Sequence, residues 1–564
     1  MQKSAIFHTS EGTYAYAVGP NRLVVRLRAA TGDLETVKVH YKNLYDHVVD
    51  PSSATMKLAF SDGVSDVFET TIEIDGSHFK YRFELDDGRV TYYYSSDGFS
   101  KTVNDAWFFV PMINSEDVIN EPEWCEGEIV YQIFVDRFFN GDHNNDPVDV
   151  CPWNKMPDRS TYYGGDFAGI MLRIPYLVSL GVKIIYLSPV FLSPTYHKYD
   201  VQDYYAIDPA FGDVDSLKAL VDHCHKQGIR VVLDGVFNHC SSNHPFFRDV
   251  VAFGASSPYV NWFSIHSFPV TVAQGNYDSF ANLVPSMPRL NTDNPEVIEY
   301  LVNAAVYWTI TLKIDGWRMD VADEISPRFW RAFRTRVKLA NPNILLIGEI
   351  WNIATRWLAG DQLDTVTNYK YRKSLTDLAK GNITSTEFHR RMDANRILYK
   401  TPVHSRLVNL IGSHDVERIA EAFGQTKALM MLAVTLAYEG MPLIYYGDEL
   451  GMTGGADPDN RRAMTWERTD TEQAQCIRAL ALIRSSSETL KQGRTETLPT
   501  QPRVLAFVRI HQGQKLAMIA NFGNRPYRIN QTGAILKWGH ARLMSGGYVV
   551  PGSACALFEL SRQD

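Results

Sequence analysis

The segments VKIIYLSPV (residues 182–190), IRVVLDGVF (229–237) and ILLIGEIW (344–351) decide the fold that this sequence predicts. Each is a short, mainly apolar run of strand length. Between the first two lies DVDSLKALVDHCHKQG (213–228), whose apolar residues recur with helical spacing. Apolar strands that alternate with amphipathic helices indicate βα units around a parallel sheet covered on both faces.

Eight strands of this kind are predicted, and eight parallel strands favour an α/β fold of the (β/α)8 TIM-barrel type over an open doubly wound sheet. They are expected at Val130–Val135, Lys183–Leu187, Arg230–Leu233, Ile314–Arg318, Leu345–Ile347, Thr365–Asn368, Leu407–Ile411 and Leu443–Tyr446. The barrel domain is predicted to span 121–488. Its segment from about 240 to 292 lacks a long helical pattern and is rich in Ser, Asn, Pro and aromatic residues, so it is predicted to be a loop domain inserted after strand 3.

Period-two patterns flank the barrel on both sides. In Phe79–Leu85 every second residue is apolar, and Asp87-Gly88 then supplies a tight turn. Residues 1–120 are therefore predicted to form an N-terminal β-sandwich. Runs such as VLAFVRI (504–510) predict a C-terminal β-sandwich over 489–564.

Composition excludes several classes of function. The 564 residues include 56 Lys and Arg against 64 Asp and Glu, a formal charge of −8, which disfavours a nucleic-acid or anionic-membrane partner. The longest mainly apolar run, Ala428–Tyr438, is too short to span a bilayer. No apolar signal-peptide core is apparent, and the six cysteines include no CxxC pair, so the sequence predicts a cytoplasmic protein with free thiols rather than disulfides.

Polar residues follow four of the predicted strands. The segments are DGVFNH (234–239), GWRMD (316–320), GEIW (348–351) and GSHD (412–415). The C-terminal ends of barrel strands meet at one face, where barrel enzymes build their active sites. Any one of these carboxylates alone would be read as a helix N-cap, but four strands that end in this way indicate an enzyme. Asp234 and Asn238 are expected to brace their loop.

The carboxylates at these strand ends, together with the His, Arg and aromatic residues beside them, suggest glycoside cleavage. That reaction passes through an oxocarbenium-like transition state and uses one carboxyl as acid and a second as nucleophile or base. The sequence contains no GxxxxGK[ST] phosphate loop and no HExxH metal motif, which disfavours phosphoryl transfer and catalysis by a metal ion.

The four segments DGVFNH, GWRMDVADE, GEIW and LIGSHD resemble, in order, the motifs of the α-amylase superfamily of glycoside hydrolases. MPRLN (287–291), GMPLIYYGDELGM (440–452) and the N-terminal sandwich resemble its branch of neopullulanases, cyclomaltodextrinases and maltogenic amylases. The resemblance covers essentially the whole chain.

This resemblance implies a role for individual residues. Asp320 is similar to the family nucleophile, Glu349 to the general acid/base and Asp415 to the third carboxylate, while Arg318 should orient the nucleophile and keep it ionised. The further substrate-binding residues that it implies are Tyr199, His239, Trp351, His414, Asp457 and Arg461. Two positions depart from the branch pattern: Asp323 stands where VANE has Asn, and Val416 follows the His-Asp pair.

A metal site is also implied. The run Asn140-Gly-Asp142-His-Asn144-Asn145-Asp146 begins like an EF-hand loop, but Asn145 and Cys151 occupy the positions of the required Gly and Glu, so that assignment fails. By itself the cluster is typical of a turn. The resemblance implies a structural Ca²⁺ instead, and the predicted ligands are Asn140, Asp142, Asn145, Asp146, Gly164 and Asp166.

The sequence therefore predicts a retaining hydrolase that cleaves α-1,4 bonds of cyclomaltodextrins, maltooligosaccharides and pullulan, with some transglycosylation, and it leaves open whether α-1,6 bonds are cleaved as well. The resemblance further implies a homodimer in which the N-terminal domain of one subunit narrows the cleft of the other. Two alternatives stay open: a non-catalytic glucan-binding or transporter-accessory barrel, and an exo-acting α-1,6-glucosidase or transferase.

Overall fold

The computed structural model describes residues 1–47, 50–118, 121–531 and 533–561. The chain divides into two compact units. The first comprises Met1–Glu121, Leu358–Gly360 and Thr386–His404, and the second comprises Pro122–Trp357, Asp361–Ser385 and Ser405–Asp564.

The first unit is built on two antiparallel sheets. Its strands are β1 (Ala15–Gly19), β2 (Arg22–Ala30), β3 (Thr36–Asn43), β4 (Ser52–Thr55), β5 (Lys57–Ser61), β6 (Ser65–Glu73), β7 (Phe79–Asp86), β8 (Thr91–Ser95), β9 (Gly98–Ser100) and β10 (Phe108–Val110). The sheet orders are β1-β2-β6-β5 and β4-β3-β7-β8-β9, with β10 on β7. Alternate residues of both sheets, such as Val25, Leu27, Val39 and Phe83, form one apolar core. This is the sandwich that the alternating pattern predicts.

The outward face of β7 is covered as well. Lys80 and Arg82 alternate with the apolar residues of this strand and are nevertheless buried, because the Trp107 ring lies over them, with its centroid 4.1 Å from Arg82 Cζ. The segment 386–404 also belongs to this unit: the buried Arg26 guanidinium donates to the Tyr399 carbonyl and to Thr401 Oγ1, each at 2.8 Å.

The second unit contains the predicted barrel. Its strands are β11 (Val130–Ile133), β12 (Ile184–Leu187), β13 (Phe191–Leu192), β14 (Asp203–Ile207), β15 (Arg230–Gly235), β16 (Ser279–Phe280), β17 (Val284–Pro288), β18 (Gly316–Met319), β19 (Leu345–Gly348), β20 (Thr365–Val366), β21 (Val408–Asn409) and β22 (Met441–Tyr445). Eight of them pair in parallel in the order β20-β19-β18-β15-β12-β11-β22-β21. A parallel bridge between Thr367 and Val408 closes the ring. The α/β barrel is thus confirmed.

Five barrel strands are shorter than predicted (β11, β12, β18, β20 and β21), and β20 and β21 are reduced to two residues each. Asn368, predicted to end the sixth strand, donates its N–H to the Val408 carbonyl at 2.8 Å, while its side chain caps the next helix and accepts from the N–H of Tyr371 at 3.1 Å. In the seventh strand the carbonyl of Ile411 accepts from Arg372 Nε at 3.0 Å instead of from a neighbouring strand.

The helices of the chain follow the strands as βα units require. They are α1 (Val135–Phe138), α2 (Phe167–Ser179), α3 (Val214–Lys226), α4 (Pro245–Phe253), α5 (Pro295–Leu312), α6 (Pro327–Ala340), α7 (Tyr369–Lys380), α8 (Ser385–Ile397), α9 (Thr401–His404), α10 (Ile419–Ala437), α11 (Glu472–Ser486) and α12 (Glu488–Gln492). Asp213 and Ser216 form a capping box that starts α3. Helices α5 and α6 each begin with Pro after a capping Asn294 or Ser326.

The insertion after β15 is not entirely loop. It holds the nine-residue α4 and the hairpin β16–β17. A helix this short, begun by Pro245, leaves little periodic signal in the sequence, which explains why it was not predicted.

The remaining strands form two small antiparallel sheets. They are β23 (Arg494–Thr497), β24 (Val504–His511), β25 (Gln514–Asn521), β26 (Tyr527–Ile529), β27 (Ile535–Gly539), β28 (Arg542–Met544), β29 (Gly547–Val550) and β30 (Ala554–Leu560). The sheet orders are β23-β24-β25-β30-β27 and β26-β29-β28, as predicted for a C-terminal β domain. None of the six cysteines, all of which lie in the described part of the chain, takes part in a disulfide. Among the described residues, no helix combines the length and apolarity needed to cross a bilayer.

Candidate active site

One buried guanidinium joins three carboxylates at the C-terminal face of the barrel. Arg318, at the end of β18, places Nη1 2.8 Å from Asp320 Oδ1 and 3.0 Å from both carboxylate oxygens of Asp234. Its Nη2 lies 2.9 Å from Glu349 Oε2, at the end of β19. The two residues predicted as nucleophile and acid/base are therefore held by opposite nitrogens of one planar cation.

The charge state of Asp320 depends on this contact. The pKa of its carboxyl is raised well above the usual value, because burial and the negative charges of Glu349 and Asp234 outweigh the lowering by Arg318. Arg318 is the neighbour that favours the carboxylate over the acid, which is the role predicted for it. A carboxylate is the form that can act as a nucleophile.

Glu349 lies in a pocket of backbone and aromatic groups. The N–H of Val321 donates to Glu349 Oε2 at 3.2 Å, and the Tyr369 hydroxyl lies 3.5 Å from Oε1. Val321 has φ 46°, a left-handed conformation that is strained for a β-branched residue and that turns its N–H toward Glu349. Asp415 shares a hydrogen bond with Glu349, and Trp351, 44% exposed, stacks on Tyr369 at 3.8 Å. A hydrogen bond between two carboxyl groups requires that one of them be protonated.

Asp234 anchors side chains rather than a loop. Its Oδ2 accepts from the hydroxyls of Tyr186 at 2.5 Å and Tyr199 at 2.9 Å, in addition to the Arg318 contacts. The expectation that it braces its own loop is therefore replaced by a role in positioning Arg318 and Tyr199.

The two predicted histidines differ in their surroundings. The His414 ring is parallel to the Tyr199 ring, and its Nε2 lies 2.5 Å from the Tyr199 hydroxyl. Burial lowers the pKa of His239 to about 4, so this ring is neutral. Its buried Nε2 has no hydrogen-bond partner among the described residues and is available for a sugar hydroxyl.

The loop after β22 adds the last two predicted residues. Arg461 Nη1 lies 2.9 Å from Asp457 Oδ1 and 3.1 Å from the Tyr196 hydroxyl, while its Nη2 lies 3.9 Å from Asp415 Oδ1. Asp415 is 30% exposed at this side of the site. The three predicted catalytic carboxylates thus lie in one network of contacts with Arg318, Tyr199, His414, Asp457 and Arg461, and Trp351 joins it through Tyr369.

Comparison with known proteins agrees with this geometry. Residues 132–487 match the family model for the α-amylase catalytic domain, and residues 1–114 match that for the α-amylase N-terminal Ig-like domain. The chain belongs to the α-amylase family of glycoside hydrolases.

Within the α-amylase family, several relatives match nearly the full length. A cyclomaltodextrinase of Thermoanaerobacter pseudethanolicus is 42% identical over 531 residues, 92% of each chain. Neopullulanase 2 of Thermoactinomyces vulgaris is 41% identical over 534 residues, 92% of this chain and 91% of its own. A solved structure named cyclomaltodextrinase superposes with a TM-score of 0.92 at 33% identity and covers 99% of this chain and 100% of its own.

The predicted calcium loop has unused oxygen ligands. Asn140 Oδ1 and Asn145 Oδ1 are buried and accept no hydrogen bond from the described residues. Gly164 has φ 77°, and a Cβ there would lie 2.4 Å from Asp146 Oδ1, so the glycine leaves room beside these oxygens. Hard oxygen atoms of this kind suit Ca²⁺.

Three of the predicted ligands have protein partners: Asp146 Oδ1 accepts from Asn140 Nδ2 at 2.6 Å, and Asp142 and Asp166 also accept from neighbouring groups. Asp142 Oδ1 accepts from the backbone N–H and side-chain amide of Asn144. Asp166 caps α2 through Gly169 and also accepts from the N–H groups of Gly141 and Asp142. Within the described ranges, no three His, Cys, Asp or Glu side chains are grouped as metal ligands, so a site here depends on amide and carbonyl oxygens.

The MPRLN segment (287–291) and the segment Val321–Glu324, in which Asp323 departs from the branch pattern, face each other. Arg289 and Asn291 line a polar cavity of 330 Å³ together with Asp323 and Glu324. Arg289 Nη2 donates to the Glu324 carbonyl at 2.9 Å. The extra carboxylate at Asp323 therefore enters a cavity next to the acid/base, while Val416 is half-buried beside Asp415.

Sequence reasoning missed three residues of the site. Gln132 contacts His414, Tyr186 contacts Asp234, and Tyr369 contacts Glu349. Each lies on, or directly follows, a barrel strand other than the four whose ends carry the ionisable motifs. The signal that indicates them is an uncharged polar side chain at the end of a predicted barrel strand.

Proposed function

We propose that this protein is a retaining α-glucan hydrolase that cleaves α-1,4-glucosidic bonds of cyclomaltodextrins, maltooligosaccharides and pullulan, with some transglycosylation. The observation that carries the proposal is the single Arg318 guanidinium that holds both Asp320 and Glu349. The names of the cyclomaltodextrinase and neopullulanase relatives support this substrate class.

The geometry supports a two-step reaction. Glu349 donates its proton to the glycosidic oxygen while Asp320 attacks the anomeric carbon; the glycosidic bond breaks, the remaining glucan leaves as the alcohol, and Asp320 holds the sugar as a glycosyl ester. Glu349 then removes a proton from water, which displaces Asp320 and regenerates both groups. Attack by a sugar hydroxyl in place of water gives transglycosylation. Two inversions at one carbon leave the product in the α configuration.

Positioning and charge supply the catalytic power. Arg318 opposes the rise in the pKa of the nucleophile that burial causes, and Asp415, His414 and His239 offer polar atoms for the hydroxyls of the bound sugar. The presence of Asp320, Glu349 and Asp415 together argues against a non-catalytic glucan-binding barrel, which would have no need of the nucleophile.

The test is the Asp320→Asn variant. We expect a loss of turnover on γ-cyclodextrin of about 10⁴-fold or more, because the amide cannot form the ester, with maltohexaose binding by calorimetry retained. Asp361→Asn, which removes a surface carboxylate paired with Arg331, is the matched control and should keep full activity. Substantial activity in Asp320→Asn would contradict the nucleophile assignment.

Product analysis tests the stereochemistry and the linkage. Proton NMR of fresh wild-type products should show α-anomers first, and β-anomers would overturn the retaining mechanism. Product profiles on pullulan and starch report whether α-1,6 bonds are cleaved. A solved hydrolase of cyclic α-maltosyl-(1→6)-maltose, 35% identical over 78% of this chain, makes that linkage the alternative to test.

The proposal includes a structural Ca²⁺ in the loop 140–146. Asn140, Asn145, Asp146 and the Gly164 carbonyl would hold the ion, with Asp142 and Asp166 at its margin. It would supply a fixed positive charge that ties the loop to the start of α2. The two unpartnered amide oxygens support this assignment.

The proposal also includes a cytoplasmic homodimer. An intracellular maltogenic amylase of Bacillus subtilis, 35% identical over 93% of this chain, supports the location by its name. The dimer rests on the branch resemblance, with the N-terminal unit of one subunit narrowing the cleft of the other and favouring short or cyclic glucans.

A further inference from the structure

His414 is held on both sides by hydrogen bonds. On one side Gln132 Nε2, from the buried strand β11, lies 2.7 Å from His414 Nδ1. On the other side His414 Nε2 lies 2.5 Å from the Tyr199 hydroxyl and 3.3 Å from Asp415 Oδ2. Tyr199 in turn donates to Asp234 Oδ2 at 2.9 Å.

The direction of each hydrogen bond around His414 follows from the number of protons that each group can donate. Tyr199 has one hydroxyl proton and gives it to Asp234, which stays a carboxylate beside Arg318. The Tyr199 oxygen must therefore accept from His414, so Nε2 has to carry the proton. Burial lowers the pKa of His414 well below its usual value, so the ring is neutral and has one N–H. Nδ1 is then an acceptor, and Gln132 must present its NH₂ group.

We propose that Gln132 is a positioning residue that fixes the Nε2–H tautomer of His414, so that this nitrogen donates to the Tyr199 oxygen and holds this predicted substrate-binding ring with its hydroxyl directed at Asp234. The proposal rests on the hydrolase function proposed above. Loss of the Gln132 amide frees the imidazole to populate the Nδ1–H tautomer, in which the Nε2 lone pair faces the Tyr199 oxygen and competes with Asp234 for the single Tyr199 proton.

A purely structural role explains Gln132 less well. The side chain is 1% exposed, and its Oε1 has no hydrogen-bond partner among the residues that the structure describes. An apolar residue would fill the same space without burying an unpartnered amide oxygen. The hydrogen bond to His414 is the one interaction of the side-chain amide that justifies its burial.

The direct test is the tautomer itself. The wild-type protein is labelled with ¹⁵N-histidine, and the His414 signals are assigned by difference from His414→Gln. We expect a protonated Nε2 and an unprotonated Nδ1. A protonated Nδ1 in the wild type overturns the proposal, whatever the enzyme activity. Absence of glucan hydrolysis by the wild type would instead contradict the proposed function and leave this measurement standing.

Kinetics of two variants test the consequence. Gln132→Leu removes the donor and should lower kcat on maltotriose about 10²-fold with KM changed by less than about 3-fold. Gln362→Leu is the matched control, since Gln362 is equally buried and donates to the Arg356 carbonyl away from the site. It should leave kcat unchanged. Equal losses in both variants would indicate a structural effect and contradict the proposal.

Gln132→Glu keeps the shape and reverses the polarity. Its carboxylate accepts from Nδ1–H, so the ring donates from Nε2 only as imidazolium. The charged and titratable groups that face this ring are Tyr199, Asp415, Arg318, Glu349 and Arg461. We expect a new limb in the pH profile, with kcat falling as the imidazolium loses its proton. A profile identical to that of the wild type contradicts the proposal.

Discussion

Arg318 contacts three carboxylates of the site, and the shape of its guanidinium matters as much as its charge. The guanidinium presents several N–H donors in a fixed plane, so opposite nitrogens reach Asp320 and Glu349 while Nη1 also binds Asp234. A lysine ammonium is a single point charge that cannot span these positions. The position of Arg318, two residues before Asp320, was read correctly from the sequence, but its contacts with Glu349 and Asp234 were not.

Arg318→Lys tests this geometry. We expect kcat to fall about 10²- to 10³-fold, because one ammonium leaves at least one buried carboxylate without a counter-charge. The pKa of Asp320 should rise further, so residual activity should increase toward higher pH as the nucleophile ionises. Arg331→Lys, at a surface pair with Asp361, is the control. A fall of less than 10-fold, with an unchanged pH profile, would show that charge alone suffices.

At the scale of elements, the strand ends supply the reacting groups and the loops supply their support. The loop 140–146 is tied to the start of α2 through Asp166, which accepts from N–H groups of both segments. Asn140 and Asn145 direct amide oxygens into the same loop without partners. A cation would satisfy both oxygens at once, and the loop is the element whose stability should depend on it.

Chelation tests the ion. Treatment with EDTA should lower Tm by roughly 3 °C, since a ligand at about 100 times its Kd stabilises by about 2.7 kcal/mol and the unfolding entropy of a unit of this size is about 0.9 kcal/mol/K, and Ca²⁺ should restore it. Asn145→Ala should abolish the Ca²⁺ response. Asn144→Ala is the control on the same loop, because its amide binds Asp142 rather than facing the unpartnered oxygens. Equal Tm values with EDTA and with Ca²⁺ would contradict the calcium assignment.

At the scale of the whole molecule, the chain forms two units with different cores. The core of the first unit includes a buried histidine: His8 Nδ1 lies 2.7 Å from the Arg26 carbonyl, and Nε2 lies 3.0 Å from the Tyr81 hydroxyl. Burial lowers the pKa of His8 from 6.5 to about 4. The unfolded chain therefore binds a proton between these pH values that the folded unit does not.

The first unit should lose stability on acidification. The neutral His8 contributes roughly 3 kcal/mol to the free energy of unfolding of this unit. This contribution is present above pH 6.5 and is lost as the pH falls toward 4. Chemical denaturation at pH 7 and pH 4.5 measures this slope. His8→Gln should reduce it, whereas His78→Gln, a half-buried histidine of the same unit, should not. A slope unchanged in His8→Gln would show that the loss arises elsewhere.

The sequence by itself determined the α/β barrel, the flanking β domains and the strand ends at which chemistry is placed. These follow from local periodicity, because apolar spacing of two or of three to four residues decides which face of an element is buried. Ordered motifs at those strand ends were sufficient to indicate the family and its three carboxylates.

Only the tertiary structure decided which side chains meet. The burial of Lys80 and Arg82 under Trp107, the pairing of Asp234 with Tyr186, and the contact of Gln132 with His414 all join residues that are distant in the chain. Such contacts depend on strand register and on side-chain directions across the closed barrel, which local periodicity does not encode. The chemistry at the strand ends was therefore predictable, while the hydrogen bonds that orient it arise from packing.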